Sequence, residues 1–198
     1  MKYSLALLMA LVISVSGFSQ SYKTDITKEA QTYYDHLTSK NFDGIFDYMY
    51  PEIFELASRE QMRAGMEQMF NSKDMKIEFI SNDVSSVTDK IEENNVTYAV
   101  VFYNSKMRMT FLSEQSKPEA ERKEFLKLMQ STMNAQFGEA NVTPELGNLA
   151  LVINMDANMF AINDPKYDGW KFIGNDASMK KLVDSVIPET VRTQLLKD

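Results

Sequence analysis

Apolar positions recur at helical spacing through the first third of the chain. Ala30, Tyr33, Tyr34 and Leu37 fall at i, i+3, i+4 and i+7, which predicts a helix over residues 28–39, with Thr27 or Asp25 as its cap. Asn41-Phe42-Asp43-Gly44 reads as a turn. Ile45, Phe46, Met49 and Tyr50 then give a second short helix that stops before Pro51. Ser58 with Gln61 three residues on is a capping box, and Met62, Met66, Met69 and Phe70 follow it on one helical stripe.

From Met75 the period drops to two. Met75, Ile77 and Phe79 alternate with Lys76 and Glu78, as in a half-buried strand that continues irregularly through Val84 and Val87. A turn at residues 92–95 leads into a long strand over 96–112, rich in β-branched and aromatic side chains. Helical spacing returns over 117–137, where Phe125, Leu128, Met129 and Met133 share a side. Residues 138–147 read as a loop, 149–162 as a second long strand, 164–169 as a hairpin turn and 170–174 as the closing strand. A last amphipathic helix over 177–197, capped by Asp176 or Ser178, carries Leu182, Val183 and Val186; Pro188 interrupts it before Val191, Leu195 and Leu196. The order predicts an α+β fold: three N-terminal helices, an antiparallel sheet with a helix inserted between its strands, and an extra C-terminal helix. With no repeat or linker, residues 20–198 read as one domain.

The N-terminus reads differently. Lys2 precedes an apolar run from Leu5 to Val15, and Gly17 and Ser19 then place small side chains two apart. This is the pattern of a cleavable secretory signal over residues 1–19, so the expectation is a secreted or periplasmic protein. The chain has no cysteine, which excludes a lipid-modified cysteine, disulfides and thiolate metal sites. Its formal net charge is −7 with no basic block, a balance that repels nucleic acid and anionic membrane surfaces. Neither is expected as a partner once the signal is removed.

The run Tyr34-x-x-Leu37-x-x-x-Asn41-Phe42-Asp43-Gly44-Ile45-Phe46-x-x-Met49-x-Pro51-x-x-Phe54 resembles the opening of the NTF2-like superfamily, which includes ketosteroid isomerases and SnoaL-like cyclases. Ser58-Arg59-Glu60-Gln61-Met62-Arg63 resembles its third-helix start, and Trp170-Lys171-Phe172-Ile173 its last strand. The resemblance spans residues 27–175, with the stretch 113–148 and the C-terminal helix beyond the usual pattern. It implies a cone, in which a curved sheet wraps the first helix around a pocket, and commonly a homodimer through the outer sheet face.

Along the two long strands the methionines share one parity. Tyr103, Met107 and Met109 alternate with Asn104, Lys106, Arg108 and Thr110; Met155 and Met159 alternate with Asn154, Asp156 and Asn158. The pocket candidates are therefore Tyr33, Tyr34, Met49, Met66, Tyr103, Met107, Met109, Met155 and Met159. The polar parity reads either as a solvated face or as the dimer face. No catalytic residue, metal site or cofactor is expected. Glu52 and Glu55 fall on no motif position, the lone His36 sits beside its helix stripe, and the methionine rows suit core packing better than thioether ligation. The expected function is a non-catalytic exported module binding a small apolar ligand or a protein partner. The alternative is an isomerase or cyclase acting on a small apolar substrate in the same pocket.

Overall fold

The computed structural model describes the backbone of residues 3–197 and the side chains of residues 21–197. The side chains behind the export expectation, residues 1–19, lie outside the described residues. Among the described residues the architecture is α+β, with an antiparallel sheet of six strands and six α-helices. Helix α1 is assigned over Tyr3–Thr38, so neither Thr27 nor Asp25 starts it. Helix α2 spans Phe42–Tyr48, where the Asn41 side chain accepts the Gly44 N–H, and a short 3-10 helix covers Pro51–Glu55. Helix α3, Arg59–Phe70, begins with the expected capping box: Ser58 Oγ accepts the Gln61 N–H at 3.2 Å, and Gln61 Oε1 accepts the Ser58 N–H at 2.9 Å.

Strand β1 runs Met75–Val87, β2 Ile91–Glu93 and β3 Val96–Phe111. Asn94 and Asn95 both take positive φ, the geometry of a tight hairpin turn whose twist suits the strands it joins. Helix α4, Glu119–Phe137, is the inserted helix. The predicted loop after it contains a short strand, β4, Val142–Glu145. Pro144 concealed it, but β4 is an edge strand, where a missing N–H is tolerated. Strands β5, Ala150–Asn163, and β6, Lys171–Gly174, complete the sheet in the order β1-β3-β5-β4, with β2 on β3 and β6 on β5.

The single C-terminal helix is corrected to two: α5, Lys180–Val186, and α6, Glu189–Leu195, separated where Ile187 takes extended dihedrals before Pro188. The expected caps are corrected as well. The N-cap position of α5 is Met179, and Asp176 instead accepts the Ser178 N–H at 2.8 Å.

Pairing of β3 with β5 sets Val101 opposite Met159, Tyr103 opposite Ala157 and Met107 opposite Ile153, so odd positions of both strands share a face. On that face α1 packs Ile26, Ala30 and Tyr34 against Ala99, Val101, Met159 and Ala161. Further along the same face α4 packs Leu126, with Phe125 and Met129, against Phe111, Leu149, Leu151 and Ile153. The even face is not polar throughout. Tyr98, Val100, Phe160 and Ile162 are buried there with Leu182, Val183, Ile187, Val191 and Leu195 of the C-terminal helices and the residue joining them. The α5–α6 segment thus occupies the apolar half of the face expected to be free, leaving Asn104, Lys106, Asn154 and Asp156 exposed for any homodimer contact. Among the described residues no helix is long and apolar enough to cross a membrane.

Candidate functional site

The site lies where α1, the chain crossing beside β6, and the odd face of β3 and β5 meet. Tyr50 donates its N–H to the Phe172 carbonyl at 3.0 Å, and Met49 bridges to Phe172, so this segment runs as an extra extended stretch along the edge of β6. The crossing places Met49 and Ile53 opposite the tyrosines of α1. Between them is a cavity of about 320 Å³. Six of the nine expected residues line it: Tyr33, Tyr34, Met49, Tyr103, Met155 and Met159.

The other three do not. Met107 and Met109 carry the right parity, but they pack with the α4 cluster, because the inserted helix covers that end of the face. Met66 lies on α3 outside the lining; of its row only Met62, one turn earlier, reaches the cavity, and Met69 is exposed. The sequence reading missed Leu37, Phe79 and Phe172, and it missed Met179 and Asp176 from the segment entering α5. It also missed the polar end, Asn82 and Ser105.

That polar end is fully partnered within the protein. Ser105 Oγ donates to Asn82 Oδ1 at 2.6 Å, and Asn82 Nδ2 donates to Thr38 Oγ1 at 3.2 Å. Gln31 of α1 fixes the strand beside it, donating to the Asn82 carbonyl at 2.9 Å and accepting the Val84 N–H at 3.4 Å. These contacts satisfy backbone groups of a β1 edge interrupted by register shifts at Phe79/Ser81 and Val84/Ser86.

The tyrosines form a packed group. Tyr33 and Tyr34 meet edge to face at 5.2 Å between centroids, and Tyr34 lies 4.7 Å from Tyr103. The Tyr34 hydroxyl donates to Met159 Sδ at 3.4 Å. Burial pushes Tyr33 up to about 12, with the neighbouring Tyr103 adding to the shift. Burial, then Tyr103 and Tyr33, pushes Tyr34 far above the usual tyrosine range. Burial raises Tyr103 too, against an opposing effect of the neighbouring Tyr34 hydroxyl and with a smaller upward push from Asp176. All three hydroxyls are therefore neutral donors throughout the physiological range.

Tyrosine donors need a base beside them before they can drive proton transfer. The carboxylate lining the cavity is Asp176, which is exposed at its rim and already accepts the Ser178 N–H. His36 lies elsewhere, in a polar groove of about 700 Å³ beside α1 that also holds Lys28, Glu29, Asp47 and Lys171. Its Nδ1 is 3.1 Å from Asn41 Nδ2, and its ring packs so closely on Gly44 that a Cβ there would sit 2.5 Å from it. Glu55 is exposed, and neither it nor Glu52 lines the cavity. A tyrosine–carboxylate pair is buried away from the cavity: Tyr50 donates to Asp164 Oδ2 at 3.3 Å, while Asp164 Oδ1 accepts the Lys166 N–H at 2.9 Å and holds the β5–β6 hairpin. Among the described residues no group of three or more His, Cys, Asp or Glu could hold a metal ion.

Compared with protein-family models, curated proteins and solved structures, the chain matches none.

Proposed function

We propose that this chain is an exported, NTF2-like binding module that holds a small apolar molecule in the cavity between α1 and the sheet. The observation that carries the reading is the lining. Five thioethers, from Met49, Met62, Met155, Met159 and Met179, converge from four segments, two of them from β5, onto one space with three neutral tyrosines. Unbranched thioether side chains adapt to the shape of an apolar guest. The volume of about 320 Å³ stands at the lower end of the roughly 300–1,000 Å³ usual for ligand sites, which favours a small guest. The family part of the proposal rests on the order and spacing of the sequence elements, and on the tyrosine face of α1 packing against the sheet. The export part rests on the pattern of residues 1–19.

An isomerase or cyclase would have to use Asp176 as its base with Tyr103 as its donor. The rim exposure of Asp176 and its bond to Ser178 weigh against that use.

The neutral fluorescent probe N-phenylnaphthylamine tests the proposal. Its emission is expected to rise saturably on addition of the protein. Met155→Trp places an indole in the cavity from a half-buried position on β5, and it is expected to weaken probe binding about tenfold or more without unfolding the chain. Unchanged binding in a folded Met155→Trp protein would remove the cavity as the site.

A further inference from the structure

A second concavity, distinct from the methionine-lined one, lies where the start of α4 meets the far end of the even sheet face. It measures about 570 Å³, and its lining includes Lys76, Arg108, Thr110, Gln115, Arg122 and Gly147. We propose that this groove binds a small molecule through an anionic oxygen group, a carboxylate or a phosphate, with Arg122 as the principal contact.

The chain has five arginines: Arg59, Arg63, Arg108, Arg122 and Arg192. Arg59 pairs with Asp47, Arg63 with Asp43, Arg108 with Glu145 and Arg192 with Asp184. Among the described residues Arg122 alone has no such ion pair, and its Nε is buried with no hydrogen-bond partner. A guanidinium cannot give up its charge, and a desolvated N–H without an acceptor costs free energy that a ligand oxygen would offset. Its flat fork of donors suits the two oxygens of a carboxylate or phosphate.

The surrounding charges leave that fork available. Lys76 is taken by Glu78 at 2.8 Å, and Arg108 makes two bonds to Glu145, at 2.9 and 3.1 Å. On the α4 side Glu119 pairs with Lys123 at 2.6 Å, and Glu114 with Lys117 at 2.7 Å. After this internal pairing Arg122 is the groove cation without an ion pair: it attracts Glu119, three residues back on α4, only through space, and that carboxylate is held by Lys123, as Glu78 in the lining is held by Lys76. Nothing lies within 4 Å of where a Gly147 Cβ would stand, so the backbone wall there is open. In a chain of net charge −7, a cationic groove of this kind selects one local anionic group rather than a polyanion.

The test reads the five arginine Nε–Hε resonances of isotope-labelled protein by NMR. Arg122→Gln identifies the Arg122 signal by its loss; if that variant fails to fold, Arg122→Lys serves the same purpose and keeps the charge. Inorganic phosphate and acetate are titrated separately against chloride at constant ionic strength. The expected result is a saturable shift of the Arg122 resonance, with the other four still. Phosphate alone, acetate alone or both assigns the phosphoryl, the carboxylate or the shared oxyanion class. In Arg122→Gln the same titration, followed on the Gly147 amide, is expected to weaken about tenfold or more. No saturable shift with either anion, or an equal drift of all five resonances, overturns the proposal.

Discussion

Replacing Phe160 with alanine is expected to cost about 3–5 kcal/mol of folding stability, the usual range for deleting a buried aromatic ring. Phe160 is fully buried on the even face of β5, where it packs in the cluster formed by Tyr98, Val100, Ile162, Ile173 and the C-terminal helices. The loss is large against the roughly 5–15 kcal/mol that separates most folded domains from their unfolded chains. Its neighbour Met159 points the other way, into the layer formed with α1. Urea unfolding checks the prediction: the midpoint should fall with little change in slope. A loss below about 1 kcal/mol would mean that the outer layer is not a packed core.

Ending the chain at Met179 is expected to abolish cooperative folding. The deletion removes Leu182, Val183, Ile187, Val191 and Leu195, each at most 5% exposed. At roughly 1.5–3 kcal/mol for each buried aliphatic side chain, their gross contribution is about 8–15 kcal/mol, comparable with the whole stability of a domain. The deletion also bares Tyr98, Val100, Phe160 and Ile162, a contiguous apolar surface prone to self-association. A truncated chain that stays soluble and melts in one sharp transition would show α5 and α6 to be a dispensable appendage. The sequence reading treated this segment as an addition; the packing makes it the second layer of the core.

The evidence for that layer was present in the strands. Residues 98–102 and 159–162 are apolar at both parities, the mark of a stretch buried on two sides rather than one. The polar residues further along, Asn104, Lys106, Asn154 and Asp156, drew the reading toward a single polar face. Helices and strands with strong periodicity were legible, α3 down to its capping box. The parity of Tyr103, Met155 and Met159 was enough to bring them to the cavity beside α1. Parity could not separate them from Met107 and Met109, because alternation sets the face and leaves open which helix covers each part of it. Asn82 was out of reach for a different reason: β1 shifts register on either side of it, and each shift breaks the alternation from which side-chain direction is read. Asp176 and Met179 reach the cavity from a connection with no period at all.

Methyl NMR of methionine-labelled protein during titration with N-phenylnaphthylamine reads whether the cavity beside α1 takes the guest. The methyls of Met49, Met62, Met155, Met159 and Met179 are expected to shift together and saturate, while those of Met107, Met109, Met129 and Met133, within the α4 cluster, stay in place. Saturable shifts confined to the α4 group, or none in the cavity group, would contradict it.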